Sequence, residues 1–207
     1  MLELEDPRRD RPTWQPWREE EVVDASYPAF ACRTYLEQRD VRRFLHRAAC
    51  AVPVNSAADL GCGFGRMTPV LREVASAVVG FEREPGFVER ARSLWPDADF
   101  RRVDSLASLP CPDGCFDFVL SFTVLQHVPD ADLPAVAEEI KRVLRRPGHL
   151  LLCEETDERH VAGDTTGRSI ARYEALLEPL RLVEWCARGI EPTYPRADVG
   201  TYMLFAG

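Results

Sequence analysis

The stretch ADLGCGFGR, residues 58–66, places three glycines at alternate positions and decides how the chain folds. The apolar run that leads into it, residues 54–60, is typical of a strand, and residues 67–74 have the periodicity of a helix. Glycines at such a turn permit positive φ angles and let a ligand lie directly against the backbone. We therefore predict a strand, a ligand-binding glycine loop and a helix, in that order.

The residues around the glycine loop distinguish it from a dinucleotide-binding fingerprint. Position 66 is Arg, so the pattern is GxGxG, and the third glycine of GxGxxG, which packs helix on strand, is missing. Two acids accompany the loop: Asp59 precedes it, and Glu82 ends the next predicted strand. A carboxylate at the second position accepts hydrogen bonds from ribose hydroxyl groups. A nicotinamide-dependent oxidoreductase is therefore only a distant alternative.

Predicted strands and helices alternate along the rest of the chain. Helices are predicted at residues 35–49, 67–74, 133–145 and 169–180 and from residue 85 onward. Strands are predicted at residues 54–60, 77–81, 100–103, 116–122, 150–153, 182–186 and 202–205. This alternation predicts a single α/β domain with a seven-stranded, mostly parallel sheet, an antiparallel last strand and helices on both faces. We expect residues 1–49 to form an N-terminal arm and helix, and residues 50–207 the domain itself.

Composition limits the partners that we expect. The 207 residues carry 26 Lys and Arg against 34 Asp and Glu, a net charge of −8, which disfavours nucleic acid. No run of about 18 apolar residues and no apolar N-terminal segment occurs, so we expect neither a membrane span nor a secretory signal. Seven cysteines without a CxxC pair or a His cluster indicate reduced thiols in the cytoplasm and no metal site. We expect a monomer or a homodimer.

Four segments, in order and normally spaced, resemble the class I S-adenosylmethionine-dependent methyltransferase family of the small-molecule type. They are ADLGCGFGR from Ala58, VVGFERE from Val78, VDSLASLPCPDGCFDFVLSFTVLQHV from Val103 and AEEIKRVLRRPGHLLL from Ala137. The family more often has a Pro-Gly-Gly turn where this chain has RRPGH. The resemblance covers about residues 50–155, and it identifies the family far better than the substrate. It implies a Rossmann-like fold, with S-adenosylmethionine as methyl donor and S-adenosylhomocysteine as product.

The resemblance also implies a set of cofactor contacts. Asp59 and the glycine loop would hold the methionine moiety, Glu82 the ribose, and residues after the third strand the adenine. Residues at the end of the fourth strand would line the cofactor near its sulfonium. The full set of implied cofactor residues is Tyr27, Asp59, Gly61, Cys62, Gly63, Gly65, Glu82, Arg83, Asp104, Ser105, Leu106, Ser121 and Phe122.

Acceptor and catalytic residues must come from outside these motifs. The aromatic N-terminal region is expected to act as a lid or to pack in the core, and it offers Trp17 and Tyr35. The acidic loop after the fifth strand faces the ligand crevice in this architecture, where it attracts a cationic acceptor or is simply solvated. Arg168 would instead bind a substrate carboxylate, so the sequence leaves the acceptor's charge open. The remaining candidates are Glu155 for the substrate and His127, Glu154 and His160 for catalysis.

The family resemblance predicts methyl transfer to an N or O atom of a small-molecule acceptor. Such transfer is an in-line displacement in which positioning supplies up to about 7–11 kcal/mol, so no single catalytic residue is obligatory. One alternative is an enzyme of the same fold that cyclises or cleaves S-adenosylmethionine itself and releases methylthioadenosine. Another is a binding module without catalysis.

Overall fold

The computed structural model describes residues 28–159, 161–162, 165–188 and 200–207. The elements are α1 (Pro28–Ala51), β1 (Ser56–Leu60), α2 (Thr68–Leu71), β2 (Ala77–Glu82), α3 (Pro85–Leu94), β3 (Asp99–Arg102), β4 (Phe116–Phe122), a 3₁₀ turn (Leu125–His127), α4 (Leu133–Val143), β5 (Leu144–Glu155), β6 (Val161–Ala162), β7 (Thr165–Thr166), α5 (Ile170–Leu177), β8 (Arg181–Ala187) and β9 (Gly200–Ala206). Among these described helices, none combines the length and apolar character that crossing a membrane requires.

The main sheet has seven strands in the order β3-β2-β1-β4-β5-β9-β8. Six strands run parallel, and β9 runs antiparallel to both of its neighbours. The predicted α/β, Rossmann-like sheet with an antiparallel last strand is therefore confirmed. The strand order reverses between β1 and β4, and in open α/β sheets ligands bind outside the carboxyl ends of the strands at such a switch point.

Two apolar clusters cover the two faces of this sheet. On one face, α1 packs Val41 and Phe44 in the same cluster as Phe118 of β4. On the other face, Ile140 of α4 lies in the same cluster as Val119, the next residue of β4. All seven residues of β4 are buried, as a parallel strand covered on both faces requires. Helix α1 is therefore part of the core, and it extends two residues past the predicted boundary at residue 49.

Several predicted element boundaries are wrong. The helix predicted to end at residue 145 ends at Val143, because Leu144 pairs with Phe116 and starts β5 before the Pro147-Gly148 dipeptide. That dipeptide lies inside β5 where the register shifts, which is where a strand tolerates proline. The helix predicted at residues 67–74 is reduced to the single turn α2. The β6–β7 hairpin was not anticipated from the sequence.

Candidate active site

The glycine loop connects β1 to α2 at the carboxyl edge of the sheet. Gly61, Gly63 and Gly65 have φ angles of +62°, +54° and +79°, so the predicted conformational role is confirmed at all three. A Cβ atom at Gly61 would lie 2.6 Å from Val124, and one at Gly65 would lie 2.7 Å from Trp95. No atom of the described residues lies within 4 Å of a Cβ at Gly63. The outer glycines are thus required by packing, whereas Gly63 faces space that a ligand can occupy.

Asp59 lies on β1 immediately before this loop and is only 3% exposed. Its Oδ2 atom has no hydrogen-bond partner among the described residues. Burial raises the pKa of Asp59 to about 7, the charge of Arg66 opposes that rise, and the charge of Glu82 adds to it. A buried acceptor left without a donor costs about 1–3 kcal/mol. A hydrogen-bond donor of a bound ligand would therefore supply the partner that Asp59 Oδ2 lacks.

Glu82 ends β2 beside the glycine loop. Its Oε2 accepts a hydrogen bond from the Gly63 amide at 2.9 Å, and its Oε1 accepts from the amides of Arg83 at 2.7 Å and Glu84 at 2.9 Å. These three amides fix the carboxylate at the edge of the sheet. Because an ionised carboxylate offers about four acceptor positions, capacity remains for ligand hydroxyl groups.

The predicted adenine contacts lie at the same edge, after β3. The amide of Val103 donates to the Glu82 carbonyl at 2.9 Å, which holds the end of β3 against the end of β2. The side chain of Asp104 is 95% exposed and lies 3.5 Å from Arg102. Ser105 accepts from the Ala107 amide at 3.1 Å, and the half-buried Leu106 and the exposed Arg83 complete this group.

The segment after β4 has a backbone feature that sequence reasoning missed. Thr123 has a φ of +56°, and among the described residues it is the one non-glycine residue with a positive φ. Its amide donates to the carbonyl of Cys153 at 2.7 Å. A β-branched residue rarely adopts this conformation, and such backbones cluster at ligand sites. The next residue, Val124, is the one that Gly61 accommodates.

Glu154 was predicted to be a catalytic group, and the structure corrects this to a positioning role. Its side chain is fully buried and accepts hydrogen bonds from Ser121 Oγ at 2.7 Å and from the amides of Val124 and Gln126, each at 3.1 Å. Burial raises its pKa to about 7, although these hydrogen bonds lower it. The carboxylate thus holds the turn after β4, and the Ser121 hydroxyl is directed to Glu154.

Arg168 was predicted to bind a substrate carboxylate, and the structure corrects this as well. Its guanidinium is 4% exposed and donates to Asp130 at 2.8 Å, to the Leu125 carbonyl at 2.8 Å and to the Val128 carbonyl at 2.6 Å. These bonds engage all of its nitrogens in holding the same turn from the opposite side. The turn presents His127, which is exposed, with Nδ1 3.5 Å from Thr165 Oγ1.

The remaining predicted acceptor residues are not brought together. Tyr35 is 66% exposed on α1, because the inward stripe of that helix contains Val41 and Phe44, so its predicted substrate contact has no support in the structure. Glu155 is 3% exposed and accepts from the Asp157 amide at 2.8 Å. Trp17, Tyr27 and His160 lie outside the described residues. Within the described ranges, no group of three or more His, Cys, Asp and Glu side chains could hold a metal ion.

A largely buried charged cluster, which the sequence analysis did not identify, lies next to the glycine loop. Glu37 of α1 pairs with Arg66 and, through Oε1 at 2.8 Å, with Arg188 after β8. The guanidinium carbons of Arg66 and Arg188 lie 5.0 and 5.7 Å from the ring centre of Phe122. Arg66 is thus held in the fold by its pair with Glu37, and its side chain is 19% exposed. The sequence feature that could have revealed this cluster is Glu37, an acid on the apolar stripe of α1.

Comparisons with known proteins identify related methyltransferases. The family described as "Methyltransferase domain" matches residues 58–152. A probable S-adenosylmethionine-dependent methyltransferase of Mycolicibacterium smegmatis is 31% identical over 150 residues, which are 71% of this chain and 54% of that protein. Trans-aconitate 2-methyltransferase of Sinorhizobium fredii is 30% identical over 161 residues, which are 72% of this chain and 60% of that protein. The chain thus matches little more than half the length of these two relatives.

A solved structure shows the same fold. An S-adenosylmethionine-dependent methyltransferase from Leishmania major superposes with a TM-score of 0.74 and 17% identity, and the match covers 92% of this chain and 80% of that one. The family model and the relatives show that the chain belongs to the class I S-adenosylmethionine-dependent methyltransferase family.

S-adenosylmethionine, the methyl donor of this family, fits the residues present. The orphaned Oδ2 atom of Asp59 suits an ammonium group, the anchored Glu82 suits a ribose diol, and the open space at Gly63 accommodates close approach. A site built around acids also suits a cationic sulfonium ligand, whereas a pyrophosphate would require cationic partners.

Proposed function

We propose that this protein transfers a methyl group from S-adenosylmethionine to an N or O atom of a small-molecule acceptor. The observation that carries the proposal is the buried, unpartnered Asp59 Oδ2 beside the open Gly63 position and the anchored Glu82. When bound, S-adenosylmethionine supplies an activated methyl group on a sulfonium. The name of the trans-aconitate methyltransferase supports a small acceptor, because that relative matches 72% of this chain.

The contribution of this chain is mainly to orient the reactants. Glu154 and Arg168 fix the turn after β4 from two sides, at the carboxyl edge next to the glycine loop. Rigid placement of the reacting atoms supplies up to about 7–11 kcal/mol of a reaction barrier. The same turn carries the exposed His127, which we propose as the proton acceptor where the acceptor atom arrives protonated.

Binding and product analysis test this proposal. Calorimetry with S-adenosylhomocysteine should show binding to the wild-type protein. Glu82→Ala should weaken that binding on the order of 10- to 100-fold, because it removes a charged hydrogen-bond partner. Glu84→Ala is the matched control: it removes an exposed acid two residues along the chain and should leave the affinity unchanged.

Incubation with methyl-labelled S-adenosylmethionine and a panel of metabolites then distinguishes the reactions. Label in an acceptor together with S-adenosylhomocysteine supports methyl transfer. Methylthioadenosine without S-adenosylhomocysteine would instead identify cyclisation or cleavage of the donor. Binding without any turnover would favour a module without catalysis, and failure of the wild type to bind S-adenosylhomocysteine would reject the whole proposal.

A further inference from the structure

Arg188 is a buried cation whose hydrogen-bonding capacity is only partly used. It follows β8, and its amide donates to the Gly200 carbonyl at 2.7 Å, which fixes it at the carboxyl edge of the sheet. Its side chain is 7% exposed, and Nη2 lies 2.8 Å from Glu37 Oε1. Its Nη1 atom has no hydrogen-bond partner among the described residues. A guanidinium that served only to hold α1 in place would be expected to use this nitrogen as well.

Arg188 is not the only guanidinium group that pairs with Glu37. Arg66 pairs with the same Glu37, so two guanidinium groups share one acid, and Asp59 is the further acid whose titration Arg66 influences. Tyr202 packs edge-on against Phe122 at 6.1 Å, and its buried hydroxyl also has no partner among the described residues. Two unused donors therefore lie around one aromatic ring.

The position of this cluster assigns it to the acceptor and not to the cofactor. The proposed cofactor residues Asp59, Glu82 and Asp104 lie at the ends of β1, β2 and β3. Arg188 directly follows β8 and Tyr202 belongs to β9, on the opposite side of the switch point between β1 and β4. Two strands, β5 and β9, separate β8 from β4, and the side chain of Arg188 extends back toward Phe122 at the end of β4.

We infer that Arg188, supported by Arg66 and the Tyr202 hydroxyl, binds a carboxylate group of the methyl acceptor. This inference rests on the proposed methyltransferase function. A planar guanidinium fork matches a carboxylate in two parallel hydrogen bonds, and Nη1 supplies a donor for that contact. The carboxylate serves as a handle that orients the acceptor, and the methylated atom need not belong to it.

The acids near the end of β5, which were predicted to lie in a loop, do not oppose an anionic acceptor. Glu154 and Glu155 are the last two residues of β5 and are directed into the fold: Glu154 accepts from backbone amides after β4, and Glu155 accepts from the Asp157 amide. Asp157 in turn pairs with the exposed Arg159. The electrostatic argument for a cationic acceptor, which depended on these acids facing the crevice, is therefore weakened.

Paired ligands test the inference. The wild-type protein, saturated with S-adenosylhomocysteine, is titrated with a set of mono-, di- and tricarboxylic acids and with the corresponding primary amides. At least one acid should bind on the order of 10- to 100-fold more tightly than its amide, as expected for hydrogen bonds to charged groups. Arg188→Gln should remove this preference and leave the affinity for S-adenosylhomocysteine within about twofold. Arg188→Lys should retain part of it, because a lysine keeps the charge but lacks the fork.

Two further variants keep the test decisive. Arg181→Gln removes an exposed arginine from the other end of β8 and should change neither affinity. Glu37→Gln should strengthen acid binding, because it removes the internal competitor for both guanidinium groups, and it carries the test if Arg188→Gln does not fold.

Three outcomes would overturn the inference. The wild type would show no preference for acids over amides, or Arg188→Gln would lower only the melting temperature, or Arg188→Gln would weaken S-adenosylhomocysteine binding. In the last case the arginine would hold the cofactor's own carboxylate. Failure of the wild type to bind S-adenosylhomocysteine at all would instead reject the proposed function.

Discussion

Asp59→Asn should stabilise the ligand-free protein while it weakens cofactor binding. The pKa of Asp59 is raised from 3.8 to about 7 in the folded protein, chiefly by burial. Between these two values the unfolded chain releases a proton that the folded protein keeps, so the free energy of unfolding falls as the pH rises through this window. One pKa unit corresponds to about 1.4 kcal/mol, so ionised Asp59 costs the folded state up to about 4 kcal/mol above pH 7.

Asparagine removes this penalty but leaves an amide nitrogen in a place without an acceptor, so about 2 kcal/mol of stabilisation is expected at pH 8. For a domain of this size that raises the melting temperature by about 4–8 °C. Below about pH 3 the gain should be lost, because aspartate is then protonated in both states and the penalty that asparagine removes is absent. The affinity for S-adenosylhomocysteine at pH 8 should fall on the order of 10- to 100-fold, because a charged acceptor is lost.

Asp117 provides a matched control with the opposite sign. It is also 3% exposed, but it accepts from the amides of Asn55 at 2.9 Å and Ser56 at 3.0 Å and from Arg145 at 2.7 Å. Burial alone would raise its pKa, but these partners lower it below the ordinary value. Its stabilisation is present above that ordinary value and is lost as the pH falls, so Asp117→Asn should destabilise at pH 8. If Asp59→Asn lowered the melting temperature at pH 8 as Asp117→Asn does, or left cofactor affinity intact, the role assigned to Asp59 would be wrong.

Four further substitutions test the site by urea unfolding and by titration with S-adenosylhomocysteine. Arg168→Met should lower the free energy of unfolding by about 2–4 kcal/mol, because the carbonyls it binds lose their donors; an unchanged midpoint would contradict its positioning role. Gly65→Ala should lower the free energy of unfolding by about 2–4 kcal/mol, because its Cβ would overlap with Trp95. Gly63→Ala should lower it by only about 1–2 kcal/mol but should reduce cofactor affinity more than Gly65→Ala does. Equal effects of the two substitutions would refute the distinction between a packing glycine and a ligand-facing one. Ser121→Ala should destabilise by about 1–3 kcal/mol and leave cofactor affinity within about twofold, and a large affinity loss would place its hydroxyl in the cofactor site.

Local patterns predicted the sheet well, and they predicted where the glycine loop and its two acids lie in it. The run FDFVLSF has the same first and last residues as β4. The three glycines and the acids at 59 and 82 are found where strands end next to a turn. Such features are visible in sequence because each depends on neighbours within a few residues. The exposure of Tyr35 could have been predicted from the sequence. Tyr35 lies off the stripe of Val41 and Phe44, so helical periodicity alone places it on the outer face of α1.

The acceptor half depends on contacts that local pattern does not contain. Glu154 and Arg168 were predicted to act on the substrate because of their charge and their predicted position in loops. Both side chains are instead hydrogen-bonded to the turn at residues 124–130. The backbone groups of that turn take up the hydrogen bonds of both side chains. Similarly, Arg188 is distant in sequence from Glu37, and only the strand order β4-β5-β9-β8 brings it toward Phe122.

Acidic and basic side chains lie on different sides of the sheet's carboxyl edge, and Glu37 lies between the two groups. On the side of β1 and β2, the acids Asp59 and Glu82 favour a cationic ligand; on the side of β8, Arg188 favours an anionic one. Arg66 follows the glycine loop of the first side and shares Glu37 with Arg188 of the second. Because Glu37 belongs to α1, the packing of this helix is linked to both halves of the crevice. A substitution at Glu37 should therefore change acceptor binding and the environment of Asp59 together, a coupling that two independent sites would not show.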